Sequence, residues 1–198
     1  MGKPLRRKDI PPLRRAQILA AAAELFSRGG YQGVTVDAIA RQAGISKGNL
    51  YWHFRSKREI FQLLLEEAMG RFDPVLGEIA DSDAPPRQKL RALTRALLET
   101  AAANPEAMSL VLQIAAQPEL RDMVSAEYVL LMSRYIDTMT QLFADAGAEK
   151  PRDVAALYAL VIDALMGMVV VAPDLYDKER ILALLEERFI SFGRDKDG

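Results

Sequence analysis

Lysine, asparagine, tyrosine, tryptophan and histidine crowd one short stretch of this chain, Lys47-Gly48-Asn49-Leu50-Tyr51-Trp52-His53, with Thr35 upstream and Lys57 downstream. At helical spacing only Leu50 and Phe54 need face inward, which leaves the others outside. Folding alone gives no reason to display Tyr, Trp, His and Lys together on one short helix. Recognition of duplex DNA does: amide and cationic side chains meet base edges in the major groove, while hydroxyl, imidazole and ammonium groups hold phosphates. On that reading Lys47, Gly48 and Asn49 approach the bases, with Gly48 letting the backbone come close. Thr35, Tyr51, His53 and Lys57 hold phosphates, and Trp52 packs against the sugar–phosphate wall or a thymine methyl.

The surrounding residues position such a helix. Thr35 is placed to cap a helix whose inward residues are Val36, Ile39, Ala40 and Ala43. Gly44 supplies the left-handed residue that ends it, Ile45 returns to the core, and Ser46 caps the next helix. The result is a helix-turn-helix whose second helix does the reading. Upstream, Pro11-Pro12 open a helix that runs to about Arg28, with Ile18, Ala22, Leu25 and Phe26 on one face and Gly29-Gly30 as its stop. Laid across the other two, it completes a three-helix head. Downstream, Ser56 and Glu59 have the spacing of a capping box, opening a helix through Ile60, Phe61, Leu64, Leu65, Ala68 and Met69 toward Ile79.

The run GYQGVTVDAIARQAGISKGNLYWHFRSKREIF closely resembles the DNA-binding segment of the tetracycline-repressor (TetR) family of transcriptional regulators. The matching pieces are Gly30-Tyr31, Thr35, Ile39-Ala40, Ala43-Gly44-Ile45, Lys47-Gly48, the run Leu50–Phe54, and Lys57. The resemblance covers roughly the first third of the chain. It implies ligand-responsive repression and a helical body that encloses an inducer cavity and forms dimers. At Gly48 the family often carries a side chain, which weakens the case for base contact there.

Composition narrows the alternatives. The chain has 198 residues, half of them apolar, no cysteine and one histidine, His53. Disulfides, thiolate metal sites, cysteine nucleophiles and multi-histidine zinc sites are thereby excluded. No motif supports an enzyme, a cofactor or a metal centre. Residues 1–58 carry twelve Lys/Arg against Asp9, Glu24 and Asp37, a net +9 that leaves −10 for the rest of a chain whose total is −1. A basic head on an acidic body suits a polyanion at one end only. The Pro-broken start, Lys3 to Lys8 included, reads by itself as a solvated basic tail. It lacks signal-peptide form, the apolar run Ala155–Ala172 contains Asp163 and falls short of a comfortable span, and a cytoplasmic protein without a membrane partner is expected.

The expected fold is all-α, about nine helices, with residues 1–55 as the helix-turn-helix head. Residues 56–198 form a helical-bundle body for ligand binding and dimerisation, its first helix (56–80) bridging to the head. In Glu119–Ala146 one face collects Tyr128, Leu131, Met132, Tyr135 and Met139, which suits an adaptable cavity or a plain core equally. With the family's cavity in view, the expected pocket residues are Phe72, Met108, Leu112, Tyr128, Met132, Tyr135, Tyr158 and Met166, and the expected ligand is an apolar or aromatic small molecule. Pro151–Ala172 is apolar nearly all round, and in a body this small that calls for a second copy of the chain. Leu157, Val161 and Leu165, with Ile181, Leu185 and Phe189 of the last helix (whose stripe continues to Phe192), are the expected dimer face. Asp163 is assigned to no site. A DNA-binding protein of the same fold without an inducer, chromosome-associated or recruiting other proteins, is the alternative.

Overall fold

The computed structural model describes residues 12–124, 126–175 and 177–190, without the side chains of Pro12, Ala115, Pro118, Arg121, Glu127, Tyr128 and Lys178. The basic start up to Lys8, and Phe192, lie outside these residues. Among the described residues the structure is helical, with no strand. The helices are α1 (Pro12–Gly33), α2 (Val36–Gln42), α3 (Lys47–His53), α4 (Lys57–Gly70), α5 (Asp73–Ala80), α6 (Pro86–Ala103), α7 (Pro105–Ala116), α8 (Ala126–Asp145), α9 (Pro151–Val171) and α10 (Lys178–Leu185). A 3₁₀ segment, Pro118–Met123, follows α7, and a π-helical turn, Glu186–Ile190, follows α10. The segment expected to run unbroken from Ser56 toward Ile79 is instead divided at Arg71-Phe72, with Pro74 near the start of α5 where a proline is tolerated.

The chain forms two compact units, and the boundary falls within α4 and within α7. The first unit takes in residues up to Ala68 and, from further along the chain, Ser109–Val124. Its core is built on Ile18, Ala22 and Phe26 of α1, Ile39 and Ala40 of α2, Leu50 of α3, and Phe54 just beyond it. Ile60, Phe61 and Leu64 of α4 join it, as do Leu110, Leu120 and Met123. Phe26, Tyr31 and Phe61 form an aromatic cluster with ring centroids 5.0–5.8 Å apart. Gln113 ties the segment after Ser109 to the end of α1: its Oε1 accepts from the Tyr31 amide at 2.8 Å, and its Nε2 donates to the Phe26 carbonyl at 3.0 Å. Arg58 donates to the Asp122 carbonyl at 2.7 Å.

The second unit comprises Met69–Met108 and the described residues from Ala126 onward. Its core joins Leu90, Leu93 and Leu97 of α6 to Met139, Leu142 and Phe143 of α8 and to Ala155, Tyr158, Ala159 and Ile162 of α9. By length and composition α9 is apolar enough to cross a membrane, with mean hydropathy 2.4 over its most apolar window, so the expectation that it falls short does not hold. Its packing gives the apolarity another account. One face is closed against α6 and α8, while Leu157, Leu160 and Val171 stand exposed on the other.

Candidate nucleic-acid interface

The turn between α2 and α3 is made as its sequence requires. Thr35 Oγ1 accepts from the Ala38 amide at 3.1 Å, and Ser46 Oγ accepts from the Asn49 amide at 3.2 Å. Gly44 has φ 65°, in the left-handed region, and the Ile45 amide bonds back to the Ala40 carbonyl at 2.9 Å. At the start of α4 the Glu59 amide donates to Ser56 Oγ at 3.1 Å, and the Glu59 carboxylate reaches back to the Arg55 amide at 2.6 Å, one residue beyond the expected partner.

On this frame Thr35, Lys47, Gly48, Asn49, Tyr51 and Trp52 are all exposed. Tyr51 and Trp52 keep 47% and 42% of their surface open, a large aromatic area for so short a helix. Lys47 pairs with Asp37 across the turn at 2.9 Å. Both side chains are more than half exposed, so the pair contributes little to stability and is readily exchanged for a phosphate or a base edge. An added Cβ at Gly48 would meet no atom of the protein within 4 Å. Packing therefore gives no reason for glycine at a helical position where it costs about 1 kcal/mol relative to alanine.

Two expected phosphate contacts are placed differently. His53 is 2% exposed and belongs to the first unit's interior, not its surface. The reason is spacing: it lies three residues after Leu50 and shares that residue's inward face. Its ring meets Trp52 edge-on at 5.2 Å, its Nδ1 is buried without a partner, and burial, with Arg14 and Arg15 nearby, lowers its pKa. Lys57 is half-buried. Its ammonium donates to the carbonyls of Tyr31 and Val34 at 2.8 and 2.9 Å and lies 4.2 Å from the Tyr31 ring centre, with desolvation lowering its pKa. It ties Tyr31, just past the break in α1 at Gly30 (φ 66°), to Val34, just before Thr35, a role that spacing alone does not reveal.

The expected pocket residues are scattered. Tyr135 and Tyr158 lie in the second unit's core, Phe72 and Met166 pack against it, Met108 is buried and Met132 half-buried. Leu112 belongs to the first unit, and the side chain of Tyr128 lies outside the described residues. Tyr158 donates to Thr94 Oγ1, which in turn donates to the Leu90 carbonyl at 2.7 Å. Burial pushes the Tyr158 phenol up to about 12 and raises Tyr135 further, the latter with its hydroxyl unpartnered. Two cavities border α6 and α10, of about 320 and 220 Å³; of the expected set, Tyr158 borders the first and none borders the second.

Of the expected dimer residues, Leu157 is 55% exposed, while Val161, Leu165, Ile181 and Phe189 are half-buried against the core. Leu185 is buried inside its own protomer and cannot serve as an open face, because the turn after it folds Ile190 and Phe189 back toward Tyr158. Leu160 and Val171 of α9, each 68% exposed, and Leu184 of α10 are further open apolar positions. The carboxyl of Asp163, exposed on α9, is raised in pKa by partial desolvation.

Comparison with known proteins agrees with this geometry. Residues 18–64 match the bacterial regulatory proteins of the tetR family, and residues 86–190 match the BetI-type transcriptional repressor C-terminal domain. The HTH-type transcriptional repressor KstR2 of Mycolicibacterium smegmatis is 29% identical over 162 residues, covering 77% of this chain and 76% of that protein. Among solved structures, a TetR-like transcriptional regulator from Rhodococcus sp. RHA1 superposes with a TM-score of 0.77 at 23% identity, over 90% of this chain and 94% of that one. The transcriptional regulator FadR of Bacillus subtilis, in complex with stearoyl-CoA, does so with a TM-score of 0.71 at 22% identity, over 89% and 97%. At these identities the structures speak for the fold. The body match spans more than half of the sequence, and the chain belongs to the TetR family of bacterial transcriptional regulators.

Proposed function

We propose that this regulator acts in the cytoplasm as a homodimeric repressor, binding a palindromic operator through one α3 per protomer and leaving it when a small molecule occupies the body. The observation that carries the DNA reading is the open face of α3, where Lys47, Gly48, Asn49, Tyr51 and Trp52 stand exposed together beside Thr35. Lys47 and Asn49 read base edges, Gly48 admits the duplex backbone or base close to the helix, and Thr35, Tyr51 and Trp52 hold the sugar–phosphate walls. His53 and Lys57 fix the shape of the head from within. The head of residues 1–55 binds DNA, and residues 56–198 dimerise and bind the ligand. Dimerisation joins the exposed faces of α9 and α10, so the two-fold axis sets half-sites about one duplex turn apart, roughly 34–36 Å or slightly more.

A stearoyl-CoA complex of a protein with this fold supports a ligand-responsive body. The closure of Tyr135 and Tyr158 into the core favours the second reading, a DNA binder without an inducer, to the extent that those residues were its expected walls. Selection of bound genomic fragments, then footprinting, tests the proposal. A two-fold symmetric footprint is expected, and Asn49→Ala should relax discrimination at one position per half-site by about 1–3 kcal/mol. Full-affinity binding by a monomer, or unchanged sequence preference in Asn49→Ala, would overturn it.

A further inference from the structure

The larger body cavity has the parts of a selective site. Its floor is the pair Thr94 and Tyr158, its apolar wall Leu182, Leu185 and Ile190, and its rim Arg91 and Arg95. Both hydroxyl protons at the floor are engaged, Tyr158 to Thr94 and Thr94 to the Leu90 carbonyl, so what the floor offers is lone pairs. The rim does the opposite and offers guanidinium donors. A group that donates inward and accepts outward across an apolar middle matches that order.

The charges at the rim are already answered, but by weakly held partners. Glu186 pairs with Nη2 of Arg91, and Glu179 makes a two-pronged contact with Arg95 at 2.9 Å on each arm. Both glutamates are substantially exposed, and both come from α10 and the turn after it. The Nε–H of Arg91 is buried and has no partner. Nε and Nη2 lie on one edge of a guanidinium, the edge that a carboxylate takes with both oxygens. Glu186 therefore fills half of a two-pronged site, and a carboxylate entering the cavity can fill all of it. Glu186 also opens the π-helical turn, a backbone form frequent at functional sites.

We propose that the cavity between α6 and α10 binds a small hydroxylated carboxylic acid, whose carboxylate displaces Glu186 from Arg91, whose apolar body lies on Leu182, Leu185 and Ile190, and whose hydroxyl donates to the Thr94–Tyr158 pair. This rests on the ligand-responsive reading and deepens it by naming the ligand's chemistry and its place. The volume, about 320 Å³, is at the small end for such sites and suits a single ring with a short acid arm. Displacing Glu186 unfastens the turn at residues 186–190 from α6, and α10 carries part of the proposed dimer face. On the ligand-responsive reading, occupancy is the event that releases the operator.

The test uses three matched probes on the full-length protein: 3-(4-hydroxyphenyl)propanoate, its methyl ester, and 3-phenylpropanoate. By calorimetry the first should bind, the ester about tenfold or more weakly, and the compound without the hydroxyl several-fold more weakly. Arg91→Gln should abolish the preference for acid over ester. Glu186→Gln should tighten acid binding several-fold, because the competing carboxylate is gone; a merely structural Glu186 would give unchanged or weaker binding. No binding by any probe, equal binding of acid and ester, or weaker binding in Glu186→Gln would overturn the proposal, with melting curves confirming that each variant folds. Operator release separates the two readings. Release by another compound that is insensitive to Arg91→Gln keeps the ligand-responsive repressor and removes this site. Arg91-dependent binding with no effect on the operator keeps the site and removes the ligand-responsive reading.

Discussion

Replacing Lys57 with methionine distinguishes the two roles that its position permits. The ammonium holds two carbonyls, of Tyr31 and Val34, and lies against the Tyr31 ring. Hydrogen bonds to a charged group contribute about 1.5–3 kcal/mol each, and a half-buried site takes the lower end. The ring contact adds about 0.5–1 kcal/mol. Methionine keeps the hydrocarbon stem and the ring contact in part, but leaves both carbonyls seeking water. The expected loss is therefore about 2–4 kcal/mol, a large fraction of the stability of a typical domain. For a chain of this size that corresponds to a melting point lower by roughly 5–15 °C.

The DNA readout separates the roles further. If Lys57 shapes the head from beneath, Lys57→Met weakens operator binding but leaves its salt dependence alone, since no phosphate loses a counter-charge. If it contacts a phosphate, the slope of log K against log salt falls by about 0.9 per protomer, close to two for a dimer. Differential scanning calorimetry and fluorescence anisotropy across a salt series supply both numbers. An unchanged melting point together with a slope reduced by about two would refute the structural role. The loss of stability with an unchanged slope is the expected result.

Three further outcomes are expected. Gly44→Ala should cost about 1–2 kcal/mol because its φ of 65° is strained for any side chain, whereas Gly48→Ala, whose Cβ meets nothing, should stabilise α3 by about 1 kcal/mol and yet weaken operator binding; thermal melts and gel shifts together check both. His53 resists a proton that the unfolded chain accepts near pH 6.5, so its stability is present above that pH and drains away as pH falls through the depressed folded value. Chemical denaturation at a series of pH values should show that acid loss, and His53→Gln should flatten it. Leu160→Glu, at an exposed apolar position of α9, should yield monomers by sedimentation that fold but bind the operator weakly, and a dimer that survives would move the interface elsewhere.

The head was legible because its signals are local. Thr35 and Ser46 cap the helices they precede, Gly44 has the left-handed φ that ends α2, and the core stripe of α1 is buried apart from a half-open Leu25. Each depends on residues three or four apart, where helical geometry leaves little choice. His53 shows how narrow the margin is: it lies about 60° round the helix from Leu50, on the side away from Phe54, and the buried face is wide enough to take it in. Lys57 was less accessible still, since its partners are carbonyls some two dozen residues upstream and carry no sequence signature. The same holds for Ser109–Val124, whose place in the first unit depends on contacts such as Gln113 with Tyr31 across the chain.

In the body, composition could identify apolar helices but not which side each would close. Apolarity nearly all round pointed to a second copy of the chain but did not say which side of α9 would meet it. The packing divides those residues: Ala155, Tyr158, Ala159 and Ile162 close against α6 and α8, while Leu157 and Leu160 remain open. A bilayer helix has no reason to bury a tyrosine whose hydroxyl chain runs through Thr94 to a backbone carbonyl, and a purely internal helix has no reason to leave two leucines in water. The proposed dimer would cover the open face of α9 while its other face stays in the core. The same division bears on the expected pocket. Tyr158 is held by the core on one side and borders a cavity on the other, and the arginines at that cavity's rim sit on α6.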